Sequence, residues 1–151
     1  MKLSKKGEYA IKALQYLSFN YHRDIIQIAE ISERQKLPLK FLEQILLALK
    51  KAGIVQSKMG LKGGYRLAKG PDEISLGEVL RIIDGPPDPV DCVRQSARKE
   101  CGEEDECSLR IIMLEVKEAI CQVLDRVTLE EVCNRAKELQ KKHSLALDYQ
   151  I

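Results

Sequence analysis

The stretch PLKFLEQILLALKKAGIVQSKMGLKGGYRL, Pro38–Leu67, decides the fold, because two kinds of periodicity meet inside it. Through Ala52 the apolar residues Leu42, Ile45, Leu46 and Leu49 recur three and four apart, which places them on one face of a helix. Pro38 suits a first helical position, where its missing N–H has no partner to lose, and Gly53 suits the left-handed cap that stops a helix. Immediately afterwards Ile54–Ser57 reads as a strand, Lys58–Gly63 as a glycine-rich turn and Gly64–Leu67 as the returning strand. A helix followed at once by a basic hairpin points to a reading helix with a wing.

Upstream, a short helix over Ile28–Gln35, with Ile28 and Ile31 inward, is joined to the Pro38 helix by the brief turn Lys36-Leu37, so the pair forms a helix-turn-helix. Before it, Ser4–Asn20 carries Tyr9, Ala10, Ala13, Leu14 and Leu17 at helical spacing. Downstream, Ser75 caps a helix to about Ile83, with Glu78 completing a capping box and Leu76, Val79, Leu80 and Ile83 inward, and Gly85-Pro86-Pro87-Asp88-Pro89 breaks the pattern. Residues 90–107 show no period. From Ser108 to about Leu124, Leu109, Ile112, Val116, Ile120 and Val123 repeat near the spacing of a coiled-coil seam and ask for a partner helix. A last helix runs from the cap Thr128 to about Lys142. The expected organisation is therefore mainly α: a winged helix-turn-helix domain over 1–84, a cysteine-containing loop over 85–107, a dimerisation helix over 108–127, and a C-terminal helix and tail over 128–151.

Charge supports that division. Residues 1–70 hold 14 Lys and Arg against 5 Asp and Glu, a net of +9, whereas residues 71–151 hold 11 against 18, a net of −7. A basic first half suits a polyanion, and the second half has another task. The chain is 151 residues long, enough for one domain of about 100 residues plus an accessory element. No apolar run approaches the roughly 20 residues of a membrane span, so no membrane passage is expected. The N-terminus enters amphipathic helix without the apolar stretch of a signal peptide, so the expected location is the cytoplasm.

A helix that enters the major groove buries one face and offers the other to base edges. On the Pro38 helix Lys40, Glu43 and Gln44 occupy the outer face: Glu43 suits a cytosine amino group, Gln44 an adenine, Lys40 a guanine or phosphate. Lys51 joins them as a DNA-binding candidate. Leu47 shares the stripe and can only pack, on a thymine methyl or a neighbouring element. In the wing, Lys58, Lys62 and Arg66 lie among Gly60, Gly63 and Gly64, where backbone can approach phosphates and Lys62 or Arg66 can enter a narrow minor groove. Double-stranded DNA is the expected partner.

Five cysteines, an odd number, in a cytoplasmic chain argue against a disulfide framework. Cys92, Cys101 and Cys107 share the aperiodic loop with eight and then five residues between them, and thiolates suit iron–sulfur clusters and zinc. The loop has no CxxC, which disfavours a zinc ribbon or a dithiol redox motif. Cys121 and Cys133 fall on helices and read as small buried apolar residues. A thiol enzyme is disfavoured, since the two histidines, His22 and His143, are far from this loop in sequence.

The ordered set Lys6-Gly7-Glu8-Tyr9-Ala10, Phe41-Leu42-Glu43-Gln44, Lys51-Ala52-Gly53-Ile54-Val55, Gly63-Gly64-Tyr65-Arg66-Leu67 and Gly77-Glu78-Val79 closely resembles the IscR, NsrR and CymR type family of bacterial regulators. The resemblance covers residues 1–84 in motif and the rest in architecture. It implies a homodimer joined by the long C-terminal helix, with two winged domains reading a pseudo-palindromic operator. It also implies that Cys92, Cys101 and Cys107 hold an iron–sulfur cluster, 2Fe-2S or 4Fe-4S, although the first interval is longer than the family's usual one. Some relatives add a histidine shortly after the third cysteine. Position 110 is Arg110 here, so Glu8, matching a carboxylate that others recruit from the partner subunit's first helix, is the leading further ligand, with the acidic run Glu103–Glu106 or a small molecule as other sources. A cluster there would be the sensor, its signal being iron or cluster supply, nitric oxide, oxygen or redox state. The alternative is the same DNA-binding fold without a cluster, governed by thiol redox state or by a protein partner, as in the cysteine-metabolism branch.

Overall fold

A computed structural model describes residues 3–94 and 107–148, with side chains through residue 144. The order is α1 (Lys5–Phe19), α2 (Ile28–Gln35), α3 (Leu39–Lys51), β1 (Val55–Lys58), β2 (Gly64–Leu67), a single 3-10 turn (Pro71–Glu73), α4 (Leu76–Ile83), a second 3-10 turn (Asp91–Val93), α5 (Ser108–Arg126) and α6 (Leu129–Asp148). This is a mainly helical, winged helix-turn-helix architecture, as the periodicities indicate.

Local chemistry fixes most boundaries. Ser4 caps α1 by accepting from the Gly7 N–H at 3.0 Å, and Ser75 caps α4 by accepting from the Glu78 N–H at 3.1 Å. Pro38 sits one position earlier than expected. Its backbone is extended, with ψ of 126°, and its carbonyl accepts from the Leu42 N–H at 3.1 Å, so it is the cap of α3 and Leu39 is the first helical residue. The turn between α2 and α3 is closed by Lys36, whose φ of 52° is left-handed, and by the Leu37 N–H donating to the Ser32 carbonyl at 2.9 Å. Gly53, with φ of +78°, ends α3 as expected.

The wing is a two-stranded antiparallel sheet in the register Val55↔Leu67, Gln56↔Arg66, Ser57↔Tyr65 and Lys58↔Gly64. It is anchored where Ile26 and Tyr65 exchange backbone hydrogen bonds of 3.0 and 2.8 Å. That approach needs glycine at position 64, because a Cβ there would lie 2.2 Å from the Ile26 carbonyl oxygen.

One core unites these elements. Ala10, Ala13, Leu14 and Leu17 of α1 meet Ile31 of α2, Leu42, Ile45, Leu46 and Leu49 of α3, the strand residues Val55 and Leu67, and Val79 of α4. Leu129 at the start of α6 joins the same core, and Cys133 packs one turn later, its thiol donating to the Gln15 carbonyl at 3.8 Å. A polar staple also joins α1, the following loop and α2. Tyr16 Oη donates to Glu30 at 2.8 Å and Arg23 Nη2 donates to the other carboxylate oxygen at 3.0 Å. These bonds, Arg23 first, pull the Glu30 carboxyl down to about 2.

Three expectations change in detail. The Ser75 box is half formed, because Glu78 turns its carboxylate to Lys69 Nζ at 3.0 Å. The Thr128 cap behaves alike: Thr128 Oγ1 accepts from the Glu131 N–H at 3.3 Å, while the Glu131 side chain goes to Arg135. Helix α6 continues to Asp148 rather than Lys142, since good helix formers extend it after its buried contacts end. Among the described residues no helix is long and apolar enough to cross a membrane.

Candidate nucleic-acid interface and cysteine loop

With Leu42, Ile45, Leu46 and Leu49 buried, the opposite face of α3 presents Lys40, Glu43, Gln44, Leu47, Lys50 and Lys51 to solvent. Lys58 and Lys62 are exposed on the wing. Among the described residues, Lys40, Glu43, Gln44, Lys51, Lys58 and Lys62 make no side-chain hydrogen bond or ion pair, so their donors and acceptors are free for a ligand. Arg66 differs. It lies at the base of the hairpin and donates to Asp24 at 2.9 Å and to its cross-strand neighbour Gln56 at 3.2 and 3.3 Å, beside a recess of about 560 Å³ that also includes His22. Its charge is partly engaged within the chain.

Between α3 and the wing runs an open groove of about 590 Å³ bordered by Gln27, Ile28, Leu47, Lys50, Ser57 and Lys58. Lys50 and Gln27 were not singled out from sequence. Lys50 follows Glu43 and Leu47 at spacings of four and three, which is the signal that could have found it. Gln27 caps α2 by backbone alone, and no side chain accepts from that helix's first N–H groups. Helix N-termini of this kind favour anions.

The second region is the base of the cysteine loop. Cys92 lies in the 3-10 turn and Cys107 is the cap of α5; both are free thiols and half-buried. Arg110 Nε, in the first turn of α5, donates to the Cys92 carbonyl at 3.4 Å, which ties the two ends of the loop together. Deeper along the helix, Lys117 Nζ lies 2.6 Å from the Asp88 carboxylate, itself only 2% exposed, and 3.4 Å from the Val93 carbonyl. Cys101 and the run Glu103–Glu106 lie outside the described residues. Among the described residues no group of three His, Cys, Asp or Glu side chains converges as a metal site. Glu8 is half-exposed on α1 and paired with Lys5 at 2.7 Å.

Helix α5 buries none of its residues. The half-buried positions Arg110, Met113, Lys117, Cys121 and Leu124 line the side toward its own chain; of the expected seam, Leu109, Ile112, Val116 and Val123 lie exposed on the adjacent face and Ile120 is half-buried. Its C-terminal end is fastened to the winged region: Arg81 Nη2 of α4 donates to Asp125 at 2.6 Å, the Leu76 N–H donates to the Val127 carbonyl at 2.9 Å, and Ser75 pairs with Thr128 in an isolated bridge. Cys121 faces a groove of about 720 Å³ with Arg94, Arg110 and Lys117. Cys133 is buried, as expected for a structural thiol, and that burial raises its pKa.

Comparison with known proteins agrees with this arrangement. Residues 3–135 match the Rrf2 family model, described as an iron-dependent transcriptional regulator. An rrf2-like HTH-type transcriptional regulator of Rhodobacter capsulatus is 40% identical over 136 residues, covering 86% of this chain and 91% of that protein. The structure of CymR, the global cysteine regulator of B. subtilis, superposes with a TM-score of 0.76 at 30% identity, covering 89% of this chain and 98% of that one. The structure of T. potens IscR gives a TM-score of 0.75 at 31% identity, with 93% and 91% covered. The chain therefore belongs to the Rrf2 family of winged-helix, DNA-binding transcriptional regulators, a family that is not enzymatic.

Proposed function

We propose that this protein is a homodimeric, operator-binding regulator whose affinity for DNA is set by an iron–sulfur cluster in the Cys92, Cys101 and Cys107 loop. The observation that carries the DNA half is the exposed polar face of α3 standing beside Lys58 and Lys62 of the wing, which have no partner among the described residues. In this reading α3 lies in the major groove, where Glu43 and Gln44 contact base edges and Lys40 and Lys51 contact guanine or phosphate. Lys58, Lys62 and, after exchange of Asp24 for a phosphate, Arg66 hold the neighbouring backbone. Two copies joined along the exposed seam of α5 match a pseudo-palindromic site.

For the cluster, the donor chemistry is suitable: Cys92 and Cys107 are reduced thiols held at the two ends of one loop by the Arg110 hydrogen bond, and three thiolates are soft ligands for iron. When bound, the cluster would supply redox and ligand-exchange chemistry. A carboxylate such as Glu8 of the partner subunit would complete its ligand set, at the cost of the Lys5 pair seen here. Changes at Cys92 then reach the winged region through contacts already described, from the loop to α5 by Arg110 and Lys117, and from α5 to α4 by Arg81 and Asp125.

Anaerobic reconstitution followed by absorption spectroscopy, iron and sulfide assay, and duplex binding on the same sample tests this. Wild type is expected to take up cluster, each of Cys92→Ser, Cys101→Ser and Cys107→Ser to fail, and Cys121→Ser and Cys133→Ser to succeed. Glu8→Ala is expected to alter the spectrum or shorten the lifetime of the cluster. Equal DNA affinity with and without cluster would sink the sensing mechanism. A colourless protein without iron or sulfide favours the second reading, thiol or partner control, which the likeness to the B. subtilis cysteine regulator supports.

A further inference from the structure

The tip of the wing is apolar where its chemistry calls for polarity. Met59 is 88% exposed and Leu61 is 102% exposed, the two most exposed large apolar side chains among the described residues, and they alternate with Lys58, Gly60 and Lys62. A hairpin that only gripped phosphates would need the lysines alone. Neither apolar side chain is buried in the free protein, and both stand at the rim of the groove that also carries Leu47, Lys50 and the first turn of α2.

We propose that Met59 and Leu61 form an apolar wedge that enters the minor groove of double-stranded DNA, with one sugar–phosphate strand seated in the groove between the wing and α3. This rests on the DNA-binding reading above and adds a specificity device to it. Charge complementarity identifies the occupant: Lys50 and Lys58 line the two sides of the groove, Lys62 stands at the tip, and the α2 N-terminus at Gln27 presents backbone N–H groups to the same space. These groups suit the phosphates of a strand that separates a major groove, filled by α3, from the adjacent minor groove. The minor-groove walls are deoxyribose C–H surface and base edges, which an aliphatic or thioether side chain can cover. Apolar side chains placed there prise base steps apart and bend the duplex toward the major groove. Such opening is least costly at pyrimidine–purine steps, so the wedge would select TA or CA/TG steps on the outer flank of each half-site without any hydrogen bond to them.

The test uses the full chain and a duplex selected by the wild-type protein from a random library. Wild type, Met59→Ser/Leu61→Ser and Lys58→Ala/Lys62→Ala are compared by fluorescence anisotropy across a salt series and by end-labelled energy transfer for bending. All four substituted sites are exposed, and circular dichroism checks that the fold is retained. The Ser/Ser variant is expected to bind about tenfold or more weakly with a smaller bend and an unchanged salt slope, because it removes apolar contact and no charge. The Ala/Ala variant is expected to flatten the slope of log affinity against log salt by about two. Replacing a selected TA or CA step by a stiff one should weaken wild type and leave the Ser/Ser variant unaffected. Wild-type affinity and bending in the Ser/Ser variant would overturn the wedge while leaving the DNA-binding reading intact. A change in sedimentation of the DNA-free Ser/Ser variant would likewise overturn it, by showing that the tip packs on another copy. Failure of wild type to select any duplex would remove the DNA-binding reading itself.

Discussion

Helices α3 and α5 carry comparable apolar content and have opposite fates. Helix α3 has 13 residues and buries four large aliphatic side chains completely, whereas α5 has 19 residues and buries none. Three polar contacts attach α5 to its own chain, Lys117 to Asp88, Arg110 to the Cys92 carbonyl and Arg81 to Asp125, beside the half-buried Met113, Cys121 and Leu124. The lesson is a division of labour. Helix α3 is fixed by close-packed burial, which tolerates little displacement. Helix α5 is held by directional contacts and half-buried side chains beside the cysteine loop, and its apolar seam stays exposed.

The most damaging challenge to that contrast is Leu46→Ala, in the fully buried face of α3. It should cost about 2–5 kcal/mol by urea denaturation. Ile112→Ala, on the exposed face of α5, should change the stability of dilute protein by less than about 0.5 kcal/mol. Equal losses at the two sites would erase the distinction.

Next in size is the effect of placing a charge on the seam. Ile112→Asp should leave the winged core folded but weaken self-association by about a hundredfold or more, read by sedimentation, because a carboxylate would be buried without a partner between two helices. Operator binding should fall with it, since half-sites would be read one at a time. Unchanged sedimentation would move the dimer contact off α5.

The same contrast explains what could be read from sequence. The C-terminal end of α3, the wing and its turn were legible because periodicity, Gly53 and Gly64 act over a few residues, while Pro38 marks the start of α3 to within one residue. The seam of α5 was legible as a pattern as well. Less accessible were features that need partners distant in sequence: Arg66 turned to Asp24, Glu78 to Lys69, and Asp88 buried under Lys117. The capping boxes were half right for this reason, since a local motif nominated the glutamate and a remote cation claimed it. Helix α6 was read short because beyond Cys133 the chain continues on propensity, with no buried stripe to mark it. Of the candidate site, the outer face of α3 and the wing lysines were legible. The apolar wing tip was passed over, because exposure of Met59 and Leu61 is a property of the hairpin's shape.

A smaller effect comes from the polar staple inside the apolar half. Arg23 and Tyr16 lower the Glu30 carboxyl to about 2, so ionised Glu30 stabilises the fold above its unfolded pKa of about 4.3. That contribution is lost as pH falls from about 4.3 toward 2. Because Glu30 is partly open to solvent, its worth is about 1–2 kcal/mol rather than the full shift. Glu30→Gln should therefore be less stable than wild type by that amount at pH 7, and the difference should narrow steadily below pH 4. A difference independent of pH would assign the staple to packing.

The finest distinction is between two thiols on the two kinds of helix attachment. Cys133 is buried against α1, its thiol donates to the Gln15 carbonyl, and burial raises its pKa, so thiolate is scarce and access is blocked. Cys121 is half-buried on α5 and opens onto the groove with Arg94, Arg110 and Lys117. Maleimide labelling followed by peptide mass analysis should modify Cys121 at least about tenfold faster than Cys133 in the folded protein and at similar rates in urea. Salt should sharpen the result: loosening the ion pairs that hold α5 should speed labelling of Cys121, while apolar burial should keep Cys133 protected. If both thiols responded alike to salt, α5 would be held as α6 is, by burial, and the contrast between a close-packed α3 and an α5 tethered by ion pairs would not stand.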